Sequence, residues 1–235
     1  MKGTLPVGQV MGFLRRMPAW AEFAIVVGGA FGYFIVSSVI IASSHNLFAK
    51  THHSSNSLFA LSAMEVAIMA ILLPFLWARG WTIARVGLRP AWMDLVYGVG
   101  LAVAAYATYV VMWVLFVVTA PDAARDAARV SVVANGISPA AAIVPPLVNA
   151  LFEEIFVAGY IITALKDRHG EWTAINVSVG VRLAYHLYQG AVGVIAIIPL
   201  GLIFGIWYAR RGRLWPLIIA HAAIDLTGLL YVAKF

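Results

Sequence analysis

Three pairs of polar residues stand four positions apart in runs that are otherwise apolar: Asn149 and Glu153, Arg182 and His186, His221 and Asp225. Residues four apart on a helix share one face, so each pair projects as a unit. Glu154 adds a second carboxyl beside Glu153. A carboxylate assisted by a histidine acts as general base on water. A second histidine with a polar partner one turn away donates hydrogen bonds to a developing oxyanion. That inventory suits peptide hydrolysis without a covalent intermediate. Other membrane-protease chemistries lack their residues, since the chain has no HExxH, no GxGD and no GxSxG. It also has no cysteine, which excludes disulfides, thiolate metal sites and a thiol nucleophile.

These groups must be positioned by elements immersed in lipid. Of 235 residues, 63% are hydrophobic and 11% charged, and the mean hydropathy is +0.91. A soluble domain carries roughly 25% charged residues. A soluble enzyme and a disordered chain are both excluded. The reading is an all-α polytopic membrane protein, with spans expected at 20–42, 58–77, 92–120, 140–165, 172–188, 191–208 and 214–233. The fifth and sixth meet at Gln189-Gly190 and predict a tight hairpin. The chain divides into N-terminal membrane helices and loops (1–139) and a catalytic core of the last four spans (140–235).

An ionisable group inside a span costs about 2.5–3.5 kcal/mol on insertion scales, so it is generally paired and functional. At ~1.5 Å per residue, Glu153 lies ~18 Å from the cytoplasmic end of its span, His186 ~21 Å, and His221 and Asp225 roughly 10–17 Å. Three polar faces at overlapping depth are expected to face one another rather than lipid. Glu22 and Asp94 sit at span ends. Glu65 lies deeper in the second span and is expected to be a structural hydrogen-bonding group with no partner identified.

Loop charges orient the bundle. With the N-terminus cytoplasmic, the inside segments hold Lys2, Arg15, Arg16, Arg79, Arg85, Arg89, Lys166, Arg168, Arg210, Arg211 and Arg213. The outside segments hold only Lys50, Arg125, Arg129 and Lys234. That asymmetry follows the positive-inside rule, and seven spans would leave the C-terminus outside. The first apolar run exceeds the ~7–15 residues of a signal-peptide core, so no cleaved signal is expected. The net charge of +6 reflects loop bias and contact with anionic lipid, not nucleic-acid binding. Asp122, Arg125, Asp126 and Arg129 stand at helical spacing, which fits a short interfacial helix or a solvated loop. His45, His52 and His53 read as solvated loop histidines, with an extracytoplasmic metal site as the alternative.

The polar motifs resemble those of the CAAX prenyl endopeptidase and bacteriocin-processing family of intramembrane proteases. The family's EExxxR is matched by EEIFVAGY (Glu153–Tyr160), its phenylalanine-x3-histidine by RLAYHLYQG (Arg182–Gly190), and its HxxxN/D by HAAID (His221–Asp225). The resemblance covers roughly residues 140–232. It implies that Glu153 and His186 activate the hydrolytic water, that His221 and Asp225 form the oxyanion side, and that Glu154 orients the site. Asn149 and Arg182 are supporting residues. The implied partners are membrane lipid and a prenylated, leader-peptide or membrane-protein substrate. Two positions depart from the pattern. Ala158 replaces the motif arginine and Arg182 replaces the phenylalanine, which suggests a guanidinium moved to the neighbouring helix to pair with Glu154. The family member without activity is the alternative.

No cofactor is expected. Glu and His are legitimate zinc ligands, but no pair shows a recognised zinc spacing, so the metal-free reading is preferred. Three other readings of the residues stay open: a polar network that only joins helices, a proton-coupled transporter, and a non-catalytic immunity or scaffold protein. No internal repeat supports the transporter. Gly201 and Gly205 form a GxxxG expected to permit close helix packing. Pro145-Pro146 is expected to kink or break the fourth span, opening a water path or serving packing alone.

Overall fold

The computed structural model describes residues 12, 14–44, 51–127, 132–134 and 136–232. Long helices α1 (Ala19–Ser43), α2 (Ser55–Ala78) and α3 (Met93–Thr119) come first. Ser54 starts α2 with a capping box, its hydroxyl accepting from the Ser57 amide. A seven-residue helix, α4 (Pro121–Ala127), follows α3. Its Arg125 pairs with Asp122 at 2.6 Å, so that stretch is helical as the i,i+3 spacing allows. Arg129 lies outside the described residues.

Helix α5 (Pro139–Glu153) begins with Pro139 after the Ser138 cap. It runs unbroken through Pro145 and Pro146 and widens into a nine-residue π-helical segment, Glu154–Ile162, before α6 (Thr163–His169). Then come α7 (Glu171–His186), a single 3₁₀ turn (Leu187–Gln189) and α8 (Gly190–Arg211). The expected hairpin is present. A Cβ on Gly201 would lie 3.2 Å from Val179, and one on Gly205 would lie 3.0 Å from Ile175. These two glycines therefore let α8 lie directly against α7, antiparallel to it. Gly190 turns the chain with φ +60°. The last element is α9 (Trp215–Val232).

Among the described residues the departure from helix is a three-residue parallel pairing of β1 (Thr51–His53) with β2 (Val132–Ala134). It joins the segment before α2 to the segment before α5. Five described segments are long and apolar enough to cross a membrane: α1, α2, α3, Pro139–His169 and Glu171–Arg211. The expected seven counted the folded-back Glu171–Arg211 as two and included α9, whose apolar part, Trp215–Tyr231, falls in the shorter class. The protein is an integral, multi-pass helical bundle.

The Pro139–His169 segment is its axis, with 61% of its most apolar window buried against 11% for α3. Around it, α9 packs on α3 and α5, α2 on α5, α3 on α8, and α1 on α7. Outward-facing residues such as Ile71, Tyr106 and Val118 are apolar and exposed, as lipid contact requires.

Two polar clamps hold the end of the bundle that carries most basic loops. Glu22 on α1 accepts from Arg79 Nε at 2.5 Å, Trp81 Nε1 at 2.9 Å and the Tyr160 hydroxyl at 3.2 Å. Arg79 also donates to the Leu14 carbonyl. Asp94 at the start of α3 receives both Nε and Nη2 of Arg213 at 2.8 Å. That hydrogen bond to Asp94 raises the Arg213 pKa above its ordinary value. Both acids stand at span ends as the sequence suggested, and both are deeply buried.

Candidate active site

The wide π turn determines how the two adjacent carboxylates present themselves. Glu153 ends α5 and Glu154 opens the π segment, and both are buried, at 6% and 0% exposure. A π-helix carries looser backbone bonding and commonly marks functional sites. Neighbouring helices supply extra donors here. Ser178 donates to the Val157 carbonyl at 2.8 Å, and Tyr208 donates to the Gly159 carbonyl at 3.3 Å. In a membrane interior, such side-chain donors replace water.

Two helices converge on the carboxylates. From α7, Arg182 is 2% exposed and donates through Nη2 to Glu154 Oε1 at 2.7 Å and through Nη1 to Glu153 Oε2 at 3.3 Å. The contact expected from the Ala158/Arg182 exchange is therefore present. The guanidinium enters from α7, while Ala158 stays buried on the π segment. From α9, His221 Nδ1 lies 2.7 Å from Glu154 Oε1. Glu154, an acceptor when ionised, fixes that nitrogen as the protonated one. The other ring nitrogen, Nε2, lies 3.5 Å from Asp225 Oδ2 and 3.9 Å from Glu153 Oε2. Asn149 on α5 donates to Asp225 Oδ2 at 2.9 Å. All three i,i+4 pairs thus contribute to one cluster, the α7 pair through Arg182 alone.

His186 is held within its own helix. Its Nδ1 lies 2.9 Å from the Arg182 carbonyl one turn back. That bond leaves Nε2 available, and His186 shares a cavity with Glu153 without bonding to it. Sequence reasoning passed over Tyr185. Its hydroxyl donates to Glu153 Oε2 at 2.5 Å, and its ring stacks on Phe31 of α1 at 4.9 Å. The available signal was a tyrosine in an apolar helix, whose hydroxyl must find a partner.

The cavity measures about 600 Å³ and opens between α1, α2, α5, the 3₁₀ turn and α9. Glu153, His186, Asn149 and Asp225 line it beside aromatic and aliphatic walls that include Phe31, Phe34, Leu61 and Val192. Pro145 and Pro146 face it as well. At its rim, burial holds the His53 pKa below the ordinary histidine value. His45, one of the three loop histidines, lies outside the described residues. Glu65 departs from the structural role expected of it. It lines the cavity, and its Oε2 has no hydrogen-bond partner among the described residues. Among the described residues no three His, Asp or Glu side chains converge as a metal-binding group. Glu154, at the centre of the cluster, is committed to Arg182 and His221 instead.

Residues 135–227 match the family model described as type II CAAX prenyl endopeptidase Rce1-like. Over this segment, somewhat under half of its length, the chain is similar to the CAAX protease family. The matched residues contain all three polar faces and the whole of the Glu153–Glu154–Arg182–His221 cluster. The CAAX protease match leaves α1 to α4 outside it, although α1 and α2 supply walls of the cavity. No curated protein and no solved structure matches the chain.

Proposed function

We propose that this protein is an intramembrane endopeptidase that hydrolyses a peptide bond of a membrane-associated substrate with a water activated by Glu153. One observation carries the reading. Glu153 faces an apolar-walled cavity while Tyr185 and Arg182 hold its Oε2 from behind. A base fixed in this way needs no reorganisation when it takes a proton from water.

The remaining residues take roles that fit their contacts. Glu154 orients Arg182 and His221. His186 presents its free Nε2 to the same space and assists the water. His221 Nε2, with Asp225 and its Asn149 partner, forms the side that stabilises the oxyanion. Glu153 returns the proton to the departing amine as the tetrahedral intermediate collapses. In this mechanism the developing negative charge meets the Nε2–H of a protonated His221, which Asp225, held by Asn149, orients. The apolar walls suit a lipid-modified or apolar peptide, and the family's name points to a prenylated C-terminus. The N-terminus is cytoplasmic in this reading, which follows from the loop charges.

The decisive experiment is Glu153→Gln, tested on purified protein in lipid vesicles with farnesylated and unmodified peptides. The variant keeps the shape of the side chain and removes its basicity, so cleavage should fall at least ~10²-fold while the protein still folds. Near-normal turnover would overturn the assignment.

A further inference from the structure

Ser62 and Glu65 stand three positions apart on α2 and share one helical face. They are 6% and 2% exposed, and both line the cavity that Glu153 and Asp225 face. Neither Ser62 Oγ nor Glu65 Oε2 has a hydrogen-bond partner among the described residues. Glu154 Oε2 is likewise without a partner, but Glu154 Oε1 is held by Arg182 and His221, and Glu22, Asp94 and Glu153 each accept from named donors. Unmet polar groups at such burial are costly, and native proteins keep few of them without a use. Both residues fall outside the segment matched to the CAAX protease family.

The protease reading states what must enter this space. Attack on a backbone carbonyl requires an unwound peptide, because a helix encloses its own carbonyls. Each unwound residue brings an N–H and a C=O into a site screened from water, where each needs a partner. A carboxyl oxygen accepts from an N–H, and a hydroxyl donates or accepts. Three residues of helix advance about 4.5 Å, and one residue of extended chain advances about 3.3 Å. The two side chains therefore reach backbone groups on adjacent substrate residues.

We propose that Ser62 and Glu65 are substrate-binding residues that hold the backbone of an unwound peptide across the cavity from Glu153, with Glu65 accepting a peptide N–H. This inference rests on the protease reading and adds a docking edge from the N-terminal helices.

The test separates binding from cleavage. Glu153→Gln protein in nanodiscs is titrated with a farnesylated peptide, with its unmodified counterpart, and with versions carrying a single N-methylated amide. One N-methyl position should weaken binding about tenfold, the loss of one hydrogen bond. Adding Glu65→Leu should weaken the parent peptide by a similar factor and abolish sensitivity to that N-methyl group. Glu65→Gln keeps a carbonyl acceptor and should restore both. Ser62→Ala should shift sensitivity at the neighbouring residue. The proposal is overturned if Glu65→Leu leaves affinity and the N-methyl profile unchanged, or if the two losses simply multiply. A structural role would lower thermal stability and leave the profile intact. If the unmutated protein cleaves neither peptide and the Glu153→Gln protein binds neither, the protease reading falls and this inference with it. If cleavage occurs and the N-methyl profile is flat, only this inference falls.

Discussion

Arg182→Ala is the sharpest perturbation the structure offers. Arg182 is 2% exposed, and its guanidinium is shared between Glu154 at 2.7 Å and Glu153 at 3.3 Å. Glu154 is fully buried, and its remaining neighbour at hydrogen-bond distance is His221. Removing the cation leaves two acids in a low-dielectric site with one imidazole between them. Breaking a buried pair by deleting one partner costs about 3–5 kcal/mol, most of it from the charge left behind. Solvent does little to reduce that figure, because neither partner is exposed. The assay is reversible unfolding in mixed micelles followed by circular dichroism, alongside peptide cleavage in vesicles. Arg182→Ala should lose about 3–5 kcal/mol of stability and nearly all activity. Arg182→Phe combined with Ala158→Arg returns a guanidinium from the π segment and should recover part of the loss. A change below about 1 kcal/mol in Arg182→Ala would refute the reasoning, since that is the size of an exposed pair.

Other expectations follow from single contacts. Dialysis against a strong chelator should leave cleavage unchanged; stoichiometric zinc, with activity lost on its removal and restored on its return, would overturn the metal-free mechanism. Gly205→Leu should destabilise the hairpin by about 1–3 kcal/mol, because a Cβ already lies 3.0 Å from Ile175. Gly28→Ala, with nothing within 4 Å of the added carbon, should stay within about 0.5 kcal/mol in the same unfolding assay. The chain has no cysteine, so single cysteines report orientation cleanly. Arg168→Cys should react with an impermeant thiol reagent from the cytoplasmic side and Asp122→Cys from the opposite side, and the reverse pattern would invert the assigned topology.

Much of the candidate site was legible because lipid makes polar residues conspicuous. Glu153, Arg182, His186, His221 and Asp225 each interrupt an apolar run, and helical spacing alone predicts their shared faces. The Arg182–Glu154 contact followed from the need to pair a buried charge. The first three spans were equally readable, since hydropathy reports insertion directly, whereas the count of seven was not. What stayed hidden depends on tertiary geometry. The π turn at Glu154–Ile162 has no composition signal, because its residues would suit an ordinary helix and its extra donors, Ser178 and Tyr208, come from elsewhere in the chain. Tyr185 reads as one more aromatic until its hydroxyl is seen on Glu153. Glu65 reads as a structural acid because a sequence cannot show that a partner is missing. The bond of His186 to the Arg182 carbonyl was not legible either, since it is a local choice within its own helix.

The charges around Glu154 arrive in the membrane at different times. Glu154 is made first, Arg182 some 28 residues later and His221 another 39 after that. While the chain is being synthesised, the acid lacks its cation until α7 brings Arg182. The imidazole comes only with the last helix. A chain cut short before α9 therefore contains Glu153, Glu154 and Arg182 but lacks His221 and Asp225, and its polar cluster stays open. In the proposed mechanism the oxyanion side is then missing, so cleavage would await the last helix.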